Sequence, residues 1–193
     1  MRVMVTGGTG FVGAHTVKAL VDAGHSVRLL VRTPAKIDEV LKPLGVNAPD
    51  YVVGDMTDEA SVEAAMEGCD GALHAAAVVA LDQRRAAAVL EANPRGAEVV
   101  LGAAVRRGLD PIVHVSSVSA LFAPGVEVIH ADLPPTRWGS GYGRSKAKAE
   151  EVARRLQEAG APVVITYPGA VLGPPAGAVI GESTEGVVLQ LQP

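Results

Sequence analysis

Residues 4–13 read Met-Val-Thr-Gly-Gly-Thr-Gly-Phe-Val-Gly, and this stretch decides the fold. It follows a short apolar run that is typical of a buried strand, and it opens a segment, 11–23, whose apolar spacing predicts a helix. Gly7 suits a tight turn, Gly10 lets the backbone approach a pyrophosphate, and Gly13 lets the helix pack closely. The stretch therefore predicts a strand–loop–helix unit whose helix N-terminus faces phosphate groups.

The glycine spacing departs from the commonest dinucleotide-binding pattern. It is Gly-x-x-Gly-x-x-Gly rather than Gly-x-Gly-x-x-Gly, and glycine is frequent, with 22 of 193 residues. An ordinary turn between a strand and a helix is therefore the alternative, and the position after an N-terminal strand is what favours a cofactor site. The candidate cofactor-binding residues of this loop are Gly7, Thr9, Gly10, Phe11, Val12 and Gly13.

Composition indicates one full domain, or one domain and part of another. Hydrophobic residues make up 48% of the chain and aromatic residues only 3%, so Ala, Val and Leu must fill the core. A net charge of −4 gives no reason to expect a nucleic acid or an anionic membrane as a partner. The single cysteine, Cys69, excludes an internal disulfide and fits a reducing compartment. With no signal peptide and no long apolar run, we expect a cytoplasmic protein without a membrane span.

Short apolar runs alternate with helical patterns along most of the chain. The predicted strands are 2–5, 25–31, 50–53, 111–115 and 162–166, with a further strand that begins at 71–74 in a run that stays apolar through residue 80. The predicted helices are 11–23, 34–41, 57–67, 82–108 and 140–159, with a break or kink at Asn93-Pro94. The last of them has a dense charged face, formed by Lys146, Lys148, Glu150, Glu151, Arg154 and Arg155. Residues 122–139 and those beyond 169 show no regular pattern. This alternation predicts an α/β fold, a doubly wound parallel sheet with helices on both faces.

Ligands of such sheets bind outside the carboxyl ends of the strands, so the residues found there are informative. Arg32 follows the second strand, 19 positions after Gly13, where an acidic residue would bind the adenosine ribose hydroxyls. A guanidinium can hold a 2′-phosphate, so Arg32 favours NADP, with NAD possible and a solvated arginine as the alternative. Asp55 and Met56 follow the third strand and suit an adenine ring, unless Asp55 merely starts the turn.

Small residues follow the fourth strand, in the sequence His74-Ala75-Ala76-Ala77. Ala75 and Ala76 would let the backbone approach a cofactor, and we include both as candidate contacts. His74 is a further candidate, although a buried and hydrogen-bonded histidine is the commoner interpretation of such a position.

Three polar residues near the fifth strand suggest proton transfer. Ser117 follows that strand, and the next helix carries Tyr142 and Lys146 at i and i+4 on one face. An ammonium stabilises a phenolate and lowers the pKa of the tyrosine towards the working pH, while a serine hydroxyl can hold a substrate oxygen. The alternative is a surface tyrosine beside a solvated lysine. No metal site is expected from the sequence.

Several motifs in order resemble the extended short-chain dehydrogenases/reductases, the NAD-dependent epimerase/dehydratase family. They are residues 6–13, the Ser117/Tyr142/Lys146 set and the segment 167–174, Tyr-Pro-Gly-Ala-Val-Leu-Gly-Pro. Val31-Arg32-Thr33-Pro34 resembles the NADP-using, dihydroflavonol-reductase-like branch. Residues 93–97 resemble an Asn-Val-x-Gly-Thr segment of that family, with Pro94 and Ala97 as departures. The match covers nearly the whole chain up to about residue 174.

The resemblance implies a Rossmann-type sheet and assigns roles to individual residues. Tyr142 would be the catalytic acid/base, Lys146 would bind the nicotinamide ribose, and Ser117 would orient the substrate, with Ser119 as the alternative serine. The segment after the sixth strand would line the nicotinamide pocket through Tyr167, Pro168, Gly169 and Val171. Many members of the family dimerise through their fourth and fifth helices, so a homodimer is possible, with a solvated helix face as the alternative.

Family members usually continue into a substrate-binding lobe, which is largely absent here. We therefore expect a cofactor-binding domain at 1–174 and the start of a truncated lobe at 175–193. The leading hypothesis is an NADP-dependent oxidoreductase acting on a small carbonyl compound or secondary alcohol, although the truncated chain by itself could be inactive. The alternatives are an NAD-dependent nucleotide-sugar epimerase or dehydratase, and a module that binds a dinucleotide without catalysis.

Overall fold

The computed structural model describes residues 1–78, 86–136 and 138–191. Its strands are β1 (Arg2–Thr6), β2 (Ser26–Val31), β3 (Asp50–Val53), β4 (Gly71–His74), β5 (Ile112–Val115) and β6 (Val163–Thr166). Its α-helices are α1 (Phe11–Asp22), α2 (Ala35–Leu41), α3 (Glu59–Met66), α4 (Ala86–Arg106), α5 (Gly141–Glu158) and α6 (Glu182–Leu191). Single turns of 3₁₀-helix cover Lys42–Leu44 and Val118–Ala120.

The strands form one parallel sheet in the order β3-β2-β1-β4-β5-β6. This is the doubly wound order in which the direction of winding reverses between β1 and β4. The predicted fold class is therefore confirmed. A crevice forms at such a reversal, outside the carboxyl ends of the strands, and the glycine loop after β1 lies there.

The core has two parts, one on each face of the sheet. Met4 belongs to a cluster packed under α3, α4 and α5, whereas its neighbours Val3 and Val5 belong to a second cluster under α1 and α2. Successive residues of β1 thus point to opposite faces, and both faces are covered by helices. This explains why the strands are continuously apolar rather than alternating.

Of the break or kink predicted at Asn93-Pro94, the break is wrong, because α4 continues through Pro94. Residues beyond the proline, such as Ala97, Val100 and Ala104, are completely buried, so tertiary packing holds the helix despite the lost N–H donor. The apolar run from residue 71 leaves the sheet at His74, and residues 79–85, where that run ends and the predicted helix begins, lie outside the described residues.

Candidate active site

The glycine loop has the close approaches that its sequence predicts. Gly7 has a φ of +75°, and a Cβ added there would lie 2.6 Å from the backbone nitrogen of Ala76. A Cβ on Gly13 would lie 2.1 Å from the carbonyl oxygen of Gly7. At Gly10 the nearest neighbour of an added Cβ is that same oxygen, at 3.3 Å, and no side chain caps α1. Gly7 and Gly13 are thus required by the loop itself, whereas a Cβ at Gly10 would be in tight contact with a single atom.

Two cavities meet above this loop. The Arg32 cavity, of about 490 Å³, is bounded by the ends of β2 and β3. The Tyr142 cavity, of about 360 Å³, is bounded by α5 and by the segments that follow β5 and β6. They share a floor of small residues only, namely Gly7, Gly10, Ala75 and Ala77. A narrow molecule with two bulkier ends would fit this double groove.

The Arg32 cavity is lined by the two cations that follow β2, Arg32 and Lys36, and by Asp55. The Arg32 side chain is 74% exposed, and its Nη1 lies 4.0 Å from Oδ2 of Asp55. Oδ1 of Asp55 accepts hydrogen bonds from the backbone N–H of Thr57 at 2.9 Å and from its hydroxyl at 2.7 Å. Asp55 therefore starts the turn and also lines the cavity. Its position fits both the predicted adenine contact and the alternative of a turn residue.

Met56 forms another part of this wall, and it is largely buried against α4. A Cβ added at Gly96 would lie 2.8 Å from the Met56 sulfur. Gly96 therefore gives the thioether the room that it occupies beside the cavity.

The Tyr142 cavity brings together the three residues predicted to transfer protons. Ser117, Tyr142 and Lys146 all line it. So do Phe11 and Val12 of α1, and Pro168, Gly169 and Val171 after β6. Ser119 is not among the lining residues, and its hydroxyl donates to Oγ of Ser117 at 2.8 Å.

Lys146 is held in one place beneath this cavity. Its side chain is buried, with the residue only 4% exposed, and Nζ donates to the carbonyl oxygen of Val115 at 2.5 Å. Burial lowers the pKa of Lys146 to about 8, and the nearby Glu150 carboxylate opposes that shift. Lys146 is therefore a cation at neutral pH but lies close to its titration range. The predicted charged face of α5 is consequently wrong for Lys146 and Glu150, which are both buried.

Two predicted contacts lie outside the lining of both cavities. His74 is buried, its Nδ1 lies 2.8 Å from the hydroxyl of Thr6, and its ring stacks on His114 with the centroids 5.4 Å apart. The interpretation as a buried, hydrogen-bonded histidine thus fits its position. The hydroxyl of Tyr167 donates to Oε1 of Glu150 at 2.9 Å.

We expect acid to destabilise the protein through His74. Burial lowers the pKa of His74 to about 3, from 6.5. Between these values the unfolded chain binds a proton that the folded chain does not, so stability rises with pH and is lost as pH falls. His74 alone should contribute a loss of about 2 kcal/mol from pH 6.5 to about pH 5. Urea unfolding at these two pH values measures it.

The matched variants for this test are His74→Asn and His130→Asn. The His74 variant should lose less stability on acidification than the natural protein, whereas the exposed His130 should make no difference. An unchanged pH dependence in His74→Asn would contradict the prediction. Burial also lowers the pKa of His114 well below its usual value, so this residue adds acid sensitivity of the same sign.

Sequence reasoning missed residues in the segment 179–183 that also line the Tyr142 cavity, beyond the predicted contacts that directly follow β6. They are Val179, Ile180, Gly181 and Ser183. A Cβ on Gly181 would lie 2.6 Å from the Phe11 ring. Gly177, with a φ of +57°, approaches the carbonyl oxygen of Glu39, where an added Cβ would lie at 2.0 Å. Isolated glycines were the only signal of this packing in the sequence.

Neither a membrane segment nor a metal cluster is found in the part of the chain that the structure describes. Over residues 1–78, 86–136 and 138–191, no helix has both the length and the apolar character needed to cross a bilayer. In the same ranges, no three His, Cys, Asp or Glu side chains converge as metal ligands.

A doubly wound parallel sheet with a glycine loop at its reversal point defines a Rossmann-type dinucleotide-binding unit. The model of the NAD dependent epimerase/dehydratase family matches residues 3–189. The chain therefore belongs to this family, and the resemblance predicted from its motifs is confirmed.

Relatives of this chain include both reductases and epimerases. It is 36% identical to a putative dihydroflavonol 4-reductase of Synechocystis sp., over 88% of this chain and 49% of that protein. It is 29% identical to a UDP-glucose 4-epimerase of Neisseria meningitidis, over 100% of this chain and 59% of that protein. The chain thus spans about half the length of the curated relatives it matches.

Solved structures agree with this grouping. Vestitone reductase from alfalfa matches with a TM-score of 0.76 at 27% identity, over 97% of this chain and 63% of that one. A short-chain dehydrogenase/reductase superfamily protein from Agrobacterium tumefaciens with bound NAD matches with a TM-score of 0.73 at 27% identity, over 86% and 48%.

Proposed function

We propose that this chain forms the cofactor-binding part of an NADP-dependent oxidoreductase that acts on a carbonyl compound or a secondary alcohol. The observation that carries the proposal is the double groove. Arg32 stands at one end, and Ser117, Tyr142 and Lys146 stand at the other. The small-residue floor between them suits a pyrophosphate that joins two nucleotide halves.

The residues present fit such a cofactor. The uncapped N-terminus of α1 and the space beside Gly10 would hold the pyrophosphate, because free N–H groups and the helix dipole favour an anion. Arg32, with Lys36 beside it, would bind the 2′-phosphate. Lys146 would hold the ribose at the other end. When bound, the nicotinamide supplies or accepts the hydride at the substrate carbon.

The side chains of the Tyr142 cavity would handle the proton. During reduction the Tyr142 hydroxyl would donate its proton to the substrate oxygen, and during oxidation the Tyr142 phenolate would accept a proton from the substrate hydroxyl. The buried Lys146 ammonium favours the phenolate form of Tyr142, since opposite charges attract strongly where water is scarce. Ser117, fixed by its hydrogen bonds from Ser119, would orient the substrate oxygen.

A fluorescence titration with NADPH and with NADH tests this proposal. We expect tighter binding of NADPH, and Arg32→Asp should weaken NADPH binding roughly 30-fold, since a charged pair is replaced by repulsion. NADH binding should change much less. Arg155→Asp makes the same charge change at an exposed position on α5 and should leave both affinities as they are.

Equal affinities for the two cofactors, or an NADPH affinity that Arg32→Asp leaves intact, would count against the NADP assignment. The relatives named as UDP-glucose 4-epimerases motivate a second candidate, an NAD-dependent epimerase or dehydratase of nucleotide sugars. Preference for NADH, together with cofactor that copurifies with the protein, would favour this second candidate. Cofactor binding without turnover on a panel of carbonyl compounds, in a confirmed full-length product, would favour a non-catalytic module.

A further inference from the structure

A buried carboxylate lies directly behind the Tyr142 cavity. Glu150 is completely buried on α5, one turn after Lys146 and two turns after Tyr142. Its Oε2 accepts from the hydroxyl of Ser116 at 2.7 Å, and its Oε1 accepts from the hydroxyl of Tyr167 at 2.9 Å. A fully buried charge is costly unless it is paired and hydrogen-bonded, so these contacts must be kept.

Arg154 completes this group and extends it to a fourth segment of the chain. Its Nε and Nη2 donate to Oε1 of Glu150 at 2.8 Å and 2.6 Å. Nη2 also lies 2.8 Å from the carbonyl oxygen of Ala131 and 2.9 Å from that of Leu133. We call the set formed by Ser116, Glu150, Arg154 and Tyr167 the Glu150 cluster. It ties the end of β5, the end of β6 and the backbone at Ala131 and Leu133 to α5.

The members of the cluster adjoin residues that line the cavity. Ser116 precedes Ser117, and Tyr167 precedes Pro168. We propose that Glu150 is a positioning residue for the nicotinamide end of the site. It holds these two strand ends against α5, and it keeps a negative charge one turn from Lys146. This inference rests on the proposed cofactor function.

The negative charge of Glu150 raises the pKa of Lys146, whereas burial lowers it. His74 on β4 and His114 on β5 are buried and neutral, and both sense the charge of Lys146. Since Glu150 is the group that opposes the effect of burial, replacing it by a neutral residue brings the loss of the Lys146 proton into the neutral range.

Comparing the affinities for two ligands separates a specific effect of Glu150 on the nicotinamide end from a general loss of stability. NADPH occupies both cavities under the proposed function, whereas adenosine 2′,5′-bisphosphate carries only the end that Arg32 would bind. Affinities are measured by calorimetry across the neutral and alkaline range on the natural chain, Glu150→Gln and Glu150→Asp. Circular dichroism confirms that each variant is folded.

We expect the affinity of the natural chain for NADPH to fall as pH rises through about 8. Glu150→Gln should weaken NADPH about tenfold at neutral pH and move this decline to lower pH, while the bisphosphate affinity stays the same. Glu150→Asp keeps the charge and should return the decline towards its original pH. Equal losses for both ligands, or an unchanged pH dependence in Glu150→Gln, overturn the inference.

Tyr167→Phe decides the matter if Glu150→Gln does not fold. It removes only a hydroxyl, at a partly buried position, that donates to Glu150 and accepts from Nη2 of Arg154 at 3.2 Å. It should weaken NADPH about threefold and leave the bisphosphate unaffected. An unaltered NADPH affinity overturns the inference. A natural chain that binds neither ligand instead contradicts the proposed function, on which this inference depends.

Discussion

Replacing Gly13 by alanine is expected to abolish cofactor binding and to destabilise the fold by about 3 kcal/mol, the upper part of the range for overpacking. The added Cβ would lie 2.1 Å from the carbonyl oxygen of Gly7 and 2.7 Å from its carbonyl carbon. Both obstacles are backbone atoms, so neither can rotate away, and the loop must separate from α1. Urea unfolding gives the change in stability, and NADPH titration gives the change in affinity.

Gly10→Ala is the matched control, because only one atom approaches its added Cβ, at 3.3 Å. Gly10 has extended backbone angles that alanine adopts easily. This variant should keep its stability and still lose NADPH affinity, since its methyl group enters the space reserved for the pyrophosphate. Comparable stability losses in the two variants would contradict the assignment of Gly13 to packing and of Gly10 to the ligand.

Tyr142→Phe should lower turnover about 1000-fold while the affinity for NADPH stays within a factor of about two, as expected when only a general acid is removed. The phenyl ring keeps the shape of the side chain and lacks the proton that the substrate oxygen requires. Oxidation of NADPH with a panel of ketones and aldehydes, in the full-length protein that carries this chain, measures turnover.

Tyr51→Phe serves as the control, since Tyr51 is an exposed residue of β3 that lines neither cavity. It should leave turnover as it is. Undiminished turnover in Tyr142→Phe, with unchanged NADPH affinity, would show that another group transfers the proton.

Local sequence patterns were sufficient to predict most of the sheet. The bounds of β3 are those predicted, because it is a short apolar run followed by a glycine. The start of β4 was also predicted, but its end was not, because the sequence stays apolar after His74. Pro94 was misleading. A proline inside a helix removes one backbone hydrogen bond, which predicts an interruption, but the tertiary packing of α4 outweighs that loss. Helix α6 was missed because residues 182–191 expose most of their apolar side chains and show no clear amphipathic pattern.

The candidate site was only partly predictable, because some of its contacts join residues that are far apart in the sequence. Tyr142 and Lys146 share a helix face by their spacing, and the order of the strands places Ser117 beside them. Glu150 continues the same face, at i+4 from Lys146, yet it was grouped with solvated charges, because apart from Arg154 its partners are distant in sequence. Ser116 and Tyr167 are separated from it by 34 and 17 positions. No local pattern reports such contacts.

The shared floor of the two cavities has a consequence for how strongly either end must bind. For a ligand that spans both cavities, engagement at one end tethers the other end and raises its effective concentration. Each end can then bind its part of the ligand weakly in isolation. Weak binding is expected at the Arg32 end, because this side chain is 74% exposed and exposed ion pairs contribute little free energy. The affinity for the whole ligand then depends on both ends binding at once. A larger side chain on the shared floor, for example at Gly7 or Ala77, would lower it by forcing the ligand to span a longer distance.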